Sequence, residues 1–143
     1  MKLFAVLFTA LFVLLGCAKE ETATFELKRE GLVSTLVYYY KGDVVTKQTA
    51  KSEIDLKKLP ISEEEAIKKF QENTDLHNSV KGVTATQEVK DGIVTQFVTV
   101  DYTVAKLSDL KKAIPGDYSG PGDKVSFKAS KEGLIKIGYT EKK

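Results

Sequence analysis

Of 143 residues, one is cysteine, one is histidine and none is tryptophan. A lone cysteine excludes an intramolecular disulfide framework, and with a lone histidine it excludes multi-cysteine zinc or iron–sulfur centres and poly-histidine metal sites. An excess of one charge is missing as well: 22 Lys+Arg face 20 Asp+Glu, a net +2 that falls to +1 once the first 16 residues, with Lys2, are removed. That balance gives no electrostatic case for a nucleic-acid partner. Long apolar runs are also absent. The longest, Leu3 to Leu15, has 13 residues and is broken by Thr9. As a helix it would reach roughly 20 Å, short of the ~30 Å hydrocarbon core of a bilayer. Neither a phosphate-cradling glycine loop nor a G-x-S-x-G nucleophile elbow occurs. The expectation is no catalytic residue, no metal and no cofactor. The rest of the composition, 42% hydrophobic and 29% charged, is that of one ordinary globular domain.

What is present begins with an export signal: Lys2, the apolar run, then Leu14-Leu15-Gly16-Cys17. These last four residues resemble the lipobox of bacterial lipoproteins. That resemblance implies signal-peptidase recognition of Leu14, Leu15 and Gly16, cleavage after Gly16, and a diacylglyceryl group on the Cys17 sulfur. Two or three acyl chains at about 0.8 kcal/mol per buried methylene hold a protein at a bilayer without a spanning helix. Residues 17–24 then read as lipidated cysteine and short polar tether, and residues 25–143 as a single domain. Ala18 is not the Asp associated with inner-membrane retention. The expected location is a cell membrane, lipid-anchored on the extracytoplasmic side.

Within the domain, Phe25 to Arg29 and Leu32 to Lys41 are rich in strand formers and flank Glu30-Gly31. A second turn at Lys41-Gly42-Asp43 leads into a third strand running to about Ile54, so a three-stranded meander is expected. After Pro60, Ser62 to Glu65 has the form of a capping box, and Ala66, Ile67, Phe70 and Thr74 fall on one helical face. His77 is placed near the end of that helix at a solvent position. Val83 to Val89 and Ile93 to Tyr102 around Asp91-Gly92 form the strongest hairpin signal in the chain. Ser108 is expected to cap a short helix through Leu110 and Ile114, and Pro115 to Asp123 to be irregular. Segment 126–138 admits two readings. A helix capped by Ser126 and ended at Gly138 is preferred to a strand built on the alternation of Ile135, Ile137 and Tyr139. The fold class is α+β: an antiparallel sheet of hairpins and meander with two or three helices packed on it.

The order of these pieces resembles the YehR-like family of small bacterial lipoproteins, a domain of unknown function. The residues carrying the resemblance are Cys17; Thr24-Phe25; Tyr38 and Tyr40 before Gly42-Asp43, with Val45 and Gln48; Ser62 to Ala66; Lys81-Gly82-Val83; Asp101-Tyr102; Ser126; and Gly138. Gln87 and Glu88 stand where an aromatic residue would be expected. The resemblance implies membrane attachment and the same α+β fold, and no reaction.

Seven residues form the candidate binding surface: Tyr38, Tyr40, Asp101, Tyr102, Asp117, Tyr118 and Asp123. Tyr38 and Tyr40 share a strand face, either stacking on a ligand or completing the sheet's own packing. Asp101-Tyr102 either orients the next turn or joins those tyrosines in a shallow cleft. Asp117 and Asp123 flank a loop whose residues are explained as turn formers and lack Ca²⁺-loop spacing. The expected function is a non-enzymatic, membrane-anchored binding module with an envelope protein, peptide or glycan as partner. Two alternatives stand beside it: a small glycan-acting enzyme using a carboxylate pair, and a structural or inhibitory module pairing through an exposed strand edge.

Overall fold

The computed structural model describes residues 19–118 and 122–143. Leu14, Leu15, Gly16, Cys17 and Ala18, and Ser119 to Pro121 of the glycine- and proline-rich loop, lie outside the described residues. Six strands form one antiparallel sheet: β1 (Glu21–Arg29), β2 (Leu32–Lys41), β3 (Val44–Asp55), β4 (Val83–Lys90), β5 (Ile93–Asp101) and β6 (Thr140–Lys142). Their spatial order is β4-β5-β3-β2-β1-β6. Three α-helices complete the α+β fold: α1 (Glu63–Asn78), α2 (Leu107–Ala113) and α3 (Phe127–Ile137).

The expected meander is present, with one difference at its start. Glu21 to Thr24, expected in the tether, already belong to β1 and pair with Tyr40 to Val37. Ala23 is buried beside Phe25, so the period-2 alternation extends further back than the polar look of the segment suggests. The Asp91-Gly92 turn has φ of 52° and 77°, the paired positive angles of a two-residue hairpin loop.

Segment 126–138 is a helix. The Ser126 hydroxyl accepts the Ala129 amide at 3.1 Å, and Gly138 closes the helix at φ 110°. The Arg29 guanidinium donates to the Ile137 carbonyl at the same end. Ile135 and Ile137, whose alternation with Tyr139 suggested a strand, are helical, and the strand that follows Gly138, β6, contains none of the three and pairs with β1. Two caps differ from expectation. Ser62 accepts the Glu65 amide at 3.2 Å, but the Glu65 carboxylate pairs with Lys69. Ser108 sits inside α2, whose N-cap position is Lys106, with no side-chain cap.

An edge strand open to a partner strand is not what β4 offers. Asn78, at the end of α1, donates from Nδ2 to the Ala85 carbonyl at 2.8 Å and accepts the Ala85 amide on Oδ1 at 2.7 Å. Its amide thus imitates a neighbouring strand at Ala85 and occupies the edge at that residue. Asn78→Ala is expected to cost about 1–3 kcal/mol by leaving both groups of Ala85 without partners. Chemical denaturation measures this, and an Asn78→Asp variant, which keeps only the acceptor, should fall between.

Candidate functional site

One face of the sheet carries both long helices, and they do not meet over its middle. Near β4 and β5, Ala66 of α1 is buried with Leu56 and Val94. Over β1 and β2, Phe127 and Leu134 of α3 pack on Phe25, Leu36 and Tyr38. Between them the inward residues are small: Ser34 on β2, Ala50 and Ser52 on β3, with Ala129, Ser130 and Gly133 on the facing side of α3. The missing side-chain volume leaves a groove of about 840 Å³, within the size range of small-ligand sites.

Strand register explains the floor. Leu36, Ala50, Val98 and Ala85 lie in one row across the sheet, and Ser34, Ser52, Gln96 and Gln87 in the next. The second row is a chain of neutral hydrogen-bonding groups. Tyr139 donates from its hydroxyl to Ser34 Oγ at 2.9 Å, and Ser34 and Ser52 hydroxyls stand 3.5 Å apart. Gln96 Nε2 donates to Asn73 Oδ1 and Thr74 Oγ1, each at 3.0 Å. Gln87, where an aromatic residue was expected, accepts from Thr74 at 3.4 Å. Polar groups thus run from the α3 side of the groove to the α1 side, beside an apolar row.

The end of the groove nearest the Lys41-Gly42-Asp43 turn is lined by tyrosines. Tyr102 donates from its hydroxyl to Gln48 Oε1 at 2.9 Å. Tyr118 meets the His77 ring edge-on, with centroids 6.2 Å apart. His77 is buried, correcting its expected solvent position, and its Nδ1 lies 2.9 Å from the Asn73 carbonyl. This contact to the carbonyl of residue i−4, in the last turn of α1, accompanies a ring turned inward over the sheet.

Of the seven expected surface residues, Tyr38, Tyr102, Asp117 and Tyr118 line this groove, and Tyr40, Asp101 and Asp123 do not. Tyr38 is 6% exposed and meets Phe25 edge-on at 5.9 Å. Tyr40 stacks flat on Phe127 at 3.7 Å. The pair therefore completes the sheet's packing, the structural alternative. The Asp101 carboxylate accepts the Thr103 amide at 3.0 Å and its hydroxyl at 2.6 Å, which orients the turn. Asp123 is exposed. Ser34, Ser52, Gln96, Asn73, His77 and Tyr139 were not anticipated. For Ser34, Ser52 and Gln96 the one signal was a polar side chain at an inward position of a strand, as in Leu32-Ser34-Leu36-Tyr38. Asp117 is the single carboxylate among the described lining residues, so a glycan-cleaving pair facing across the groove has no second member there. Among the described residues no cluster of three His, Cys, Asp or Glu is placed to hold a metal ion.

Burial pushes the Tyr38 hydroxyl up to about 12, and it also raises Tyr102 and Tyr118, helped by Tyr118 and Asp117 respectively. Each raised value means that the unfolded chain releases its proton first, so stability present below the ordinary tyrosine value near 10 is lost as pH climbs. For Tyr38 the window is about 10 to about 12, with a loss on the order of 2 kcal/mol. Urea midpoints measured across that window should fall, and Tyr38→Phe should make the fall shallower.

A family model described as "Protein of unknown function (DUF1307)" matches residues 21–140. The uncharacterized lipoprotein Lin0239 of Listeria innocua is 38% identical, covering 97% of this chain and 92% of its own. Lmo0207 of Listeria monocytogenes, also an uncharacterized lipoprotein, is 38% identical with 96% and 93% covered. The uncharacterized lipoprotein YehR of Escherichia coli is 29% identical over 70% of this chain and 68% of its own. The NMR structure of E. coli YehR superimposes with a TM-score of 0.71 at 23% identity, covering 87% of this chain and 91% of that one. An NMR structure of a Streptococcus pneumoniae protein gives 0.59 at 14% identity, covering 87% and 86%. These two structures establish a shared fold.

Proposed function

The chain belongs to the DUF1307 family, the YehR-like lipoproteins, and on that premise we propose that it is a membrane-anchored lipoprotein, acylated at Cys17, whose groove binds a short, neutral, extended peptide segment. The lipoprotein names of the relatives support the anchor. No helix of the described residues is long and apolar enough to cross a membrane. The domain would then work in the envelope, on the extracytoplasmic side that the leader implies.

The pairing of the two floor rows carries the peptide reading. An extended chain alternates side chains and presents amides at fixed intervals. The row Leu36-Ala50-Val98 offers apolar contact and the row Ser34-Ser52-Gln96 offers neutral donors and acceptors. Along α3 the lining runs from Ala129 to Ile137, about 12 Å at 1.5 Å per residue, which matches about four extended residues. No charged side chain belongs to either row, and the lining holds one acid and one base, Asp117 and Lys124, so a neutral segment suits the floor. A glycan fits less well. Tyr38, the aromatic ring a sugar would stack on, is already packed edge-on against Phe25.

Amide NMR of the mature chain carrying Cys17→Ser, titrated with blocked peptides of Ala, Val, Ser and Gln, tests this. Shifts should concentrate at Ser34, Ser52, Gln96 and Gly133. Gly133→Leu fills open space, since nothing lies within 4 Å of a Cβ built there, and should weaken binding by about tenfold or more. Absence of shifts at millimolar peptide, or indifference to Gly133→Leu, removes the reading. Shifts with neutral oligosaccharides alone would reassign the ligand.

A further inference from the structure

We infer that the end of the sheet bearing the Lys41-Gly42-Asp43-Val44 turn rests against an anionic bilayer surface, so that the far end of the groove, at Ser34, Ser52 and Ile137, points away from it. This rests on the acylation of Cys17 proposed above. The chain between anchor and fold is short: β1 starts at Glu21 against Tyr40, and Glu20 is itself fastened, its carboxylate accepting the Thr46 hydroxyl at 2.9 Å. From Cys17 to Glu20 the chain spans at most about 11 Å. Only the elements beside Glu20 can approach the lipid, and these are the β2–β3 turn, the end of β5 with the following turn, and the start of β4, where Asp101 N donates to the Gly82 carbonyl at 2.9 Å.

The chemistry of that end suits an anionic surface. Three of its acids, Asp43, Asp101 and Glu20, accept hydrogen bonds from the fold, while Glu21 beside them is exposed. Asp43 accepts the Lys128 amide and the Ser126 hydroxyl, both at 2.8 Å, and these bonds hold its carboxyl below the usual carboxylate range. Asp101 is taken up by Thr103 and Glu20 by Thr46. The lysines there, Lys41, Lys81, Lys106 and Lys128, are exposed and take part in none of the ion pairs among the described residues. Val44 and Val104, 40% and 44% exposed, project beside them. Three hydrogen-bonded carboxylates, four exposed ammonium groups and two exposed valines make a face for phospholipid headgroups. The opposite end of the groove, at Ser34, Ser52 and Ile137, then faces the envelope space, and Ile137 there is 56% exposed.

Acylation consumes the native thiol, so a single added cysteine in the full lipidated chain can carry a fluorophore. Val44→Cys and Val104→Cys report the near end and Lys57→Cys the far end. On phosphatidylcholine vesicles containing phosphatidylglycerol and a headgroup-quencher lipid, the near labels should be quenched at least about threefold more than the far one, given screening over about one Debye length. Reversing Lys41, Lys106 and Lys128 to Glu, or omitting phosphatidylglycerol, should reduce that ratio. Equal or inverted quenching on a chain whose mass shows the acylated cysteine overturns the orientation and leaves the anchor standing. A mass showing a bare Cys17 overturns both.

Discussion

Cys17→Ser is expected to abolish incorporation of an alkyne fatty-acid probe and to leave the leader uncut after Gly16, with the folded domain unchanged. A serine oxygen cannot take the place of the thiolate in forming the thioether, so no diacylglyceryl group is attached. The energetic consequence is large. At about 0.8 kcal/mol per buried methylene, a single fourteen-carbon chain gives only marginal, reversible binding, and two chains give stable attachment. The domain is insulated from the change because β1 begins at Glu21 and the first hydrogen bond from that stretch is made by Glu20. Probe labelling, intact mass and circular dichroism together check the prediction. Retained labelling in Cys17→Ser would place the lipid on another residue and remove the basis for the orientation argued above.

Phe25→Ala should be the most damaging single truncation in the domain. Phe25 is fully buried, meets Tyr38 edge-on at 5.9 Å and lies 6.4 Å from Phe127 across the β1–α3 joint. Large-to-small changes of a buried phenylalanine cost about 3–5 kcal/mol, a large share of the about 5–15 kcal/mol that holds a domain folded. The effect should reach the groove, since α3 is one of its walls and Phe127 is its first helical residue. Urea unfolding of the Cys17→Ser background measures the loss. Tyr40→Ala, at a half-buried ring stacked on the same Phe127, should cost less. A loss below about 1 kcal/mol for Phe25→Ala would mean that the joint collapses around the cavity.

Several residues quoted for the family resemblance turn out to be joints between distant parts of the chain. Asp43 and Ser126 meet at the start of α3. Tyr102 reaches Gln48. Gly138 ends α3 beside Leu27 and Arg29, whose guanidinium takes the last carbonyl. Each had a local reading as turn, strand or cap, and most of those local readings hold. The exceptions are instructive. Ser108 was expected as a cap because hydroxyls favour that position, but Leu107 and Leu110 both reach the core, and the N-cap of α2 lies two residues earlier, at Lys106. His77 was expected in solvent because a helix end is usually wet. The sheet beneath α1 and Tyr118 from the far loop bury it instead.

The candidate site divides in the same way. Four of the seven expected residues line the groove because tyrosines on a strand and beside a proline–glycine loop announce themselves by type. Ser34, Ser52 and Gln96 do not, since a serine or glutamine inside a strand looks like any outward residue until its face is known.

What the amino-acid order decides unaided is the α+β class, the hairpins and the Ser62 and Ser126 caps, because each depends on residues within a few positions of one another and on the periods of strand and helix. Only the tertiary structure decides which strands are neighbours, where β6 lies, and that α1 and α3 leave a gap between them. Those outcomes depend on register. Four residues from four strands, spread from position 34 to 96, form one row only after long-range pairing has brought them to the same level of the sheet, and no local preference encodes that distance.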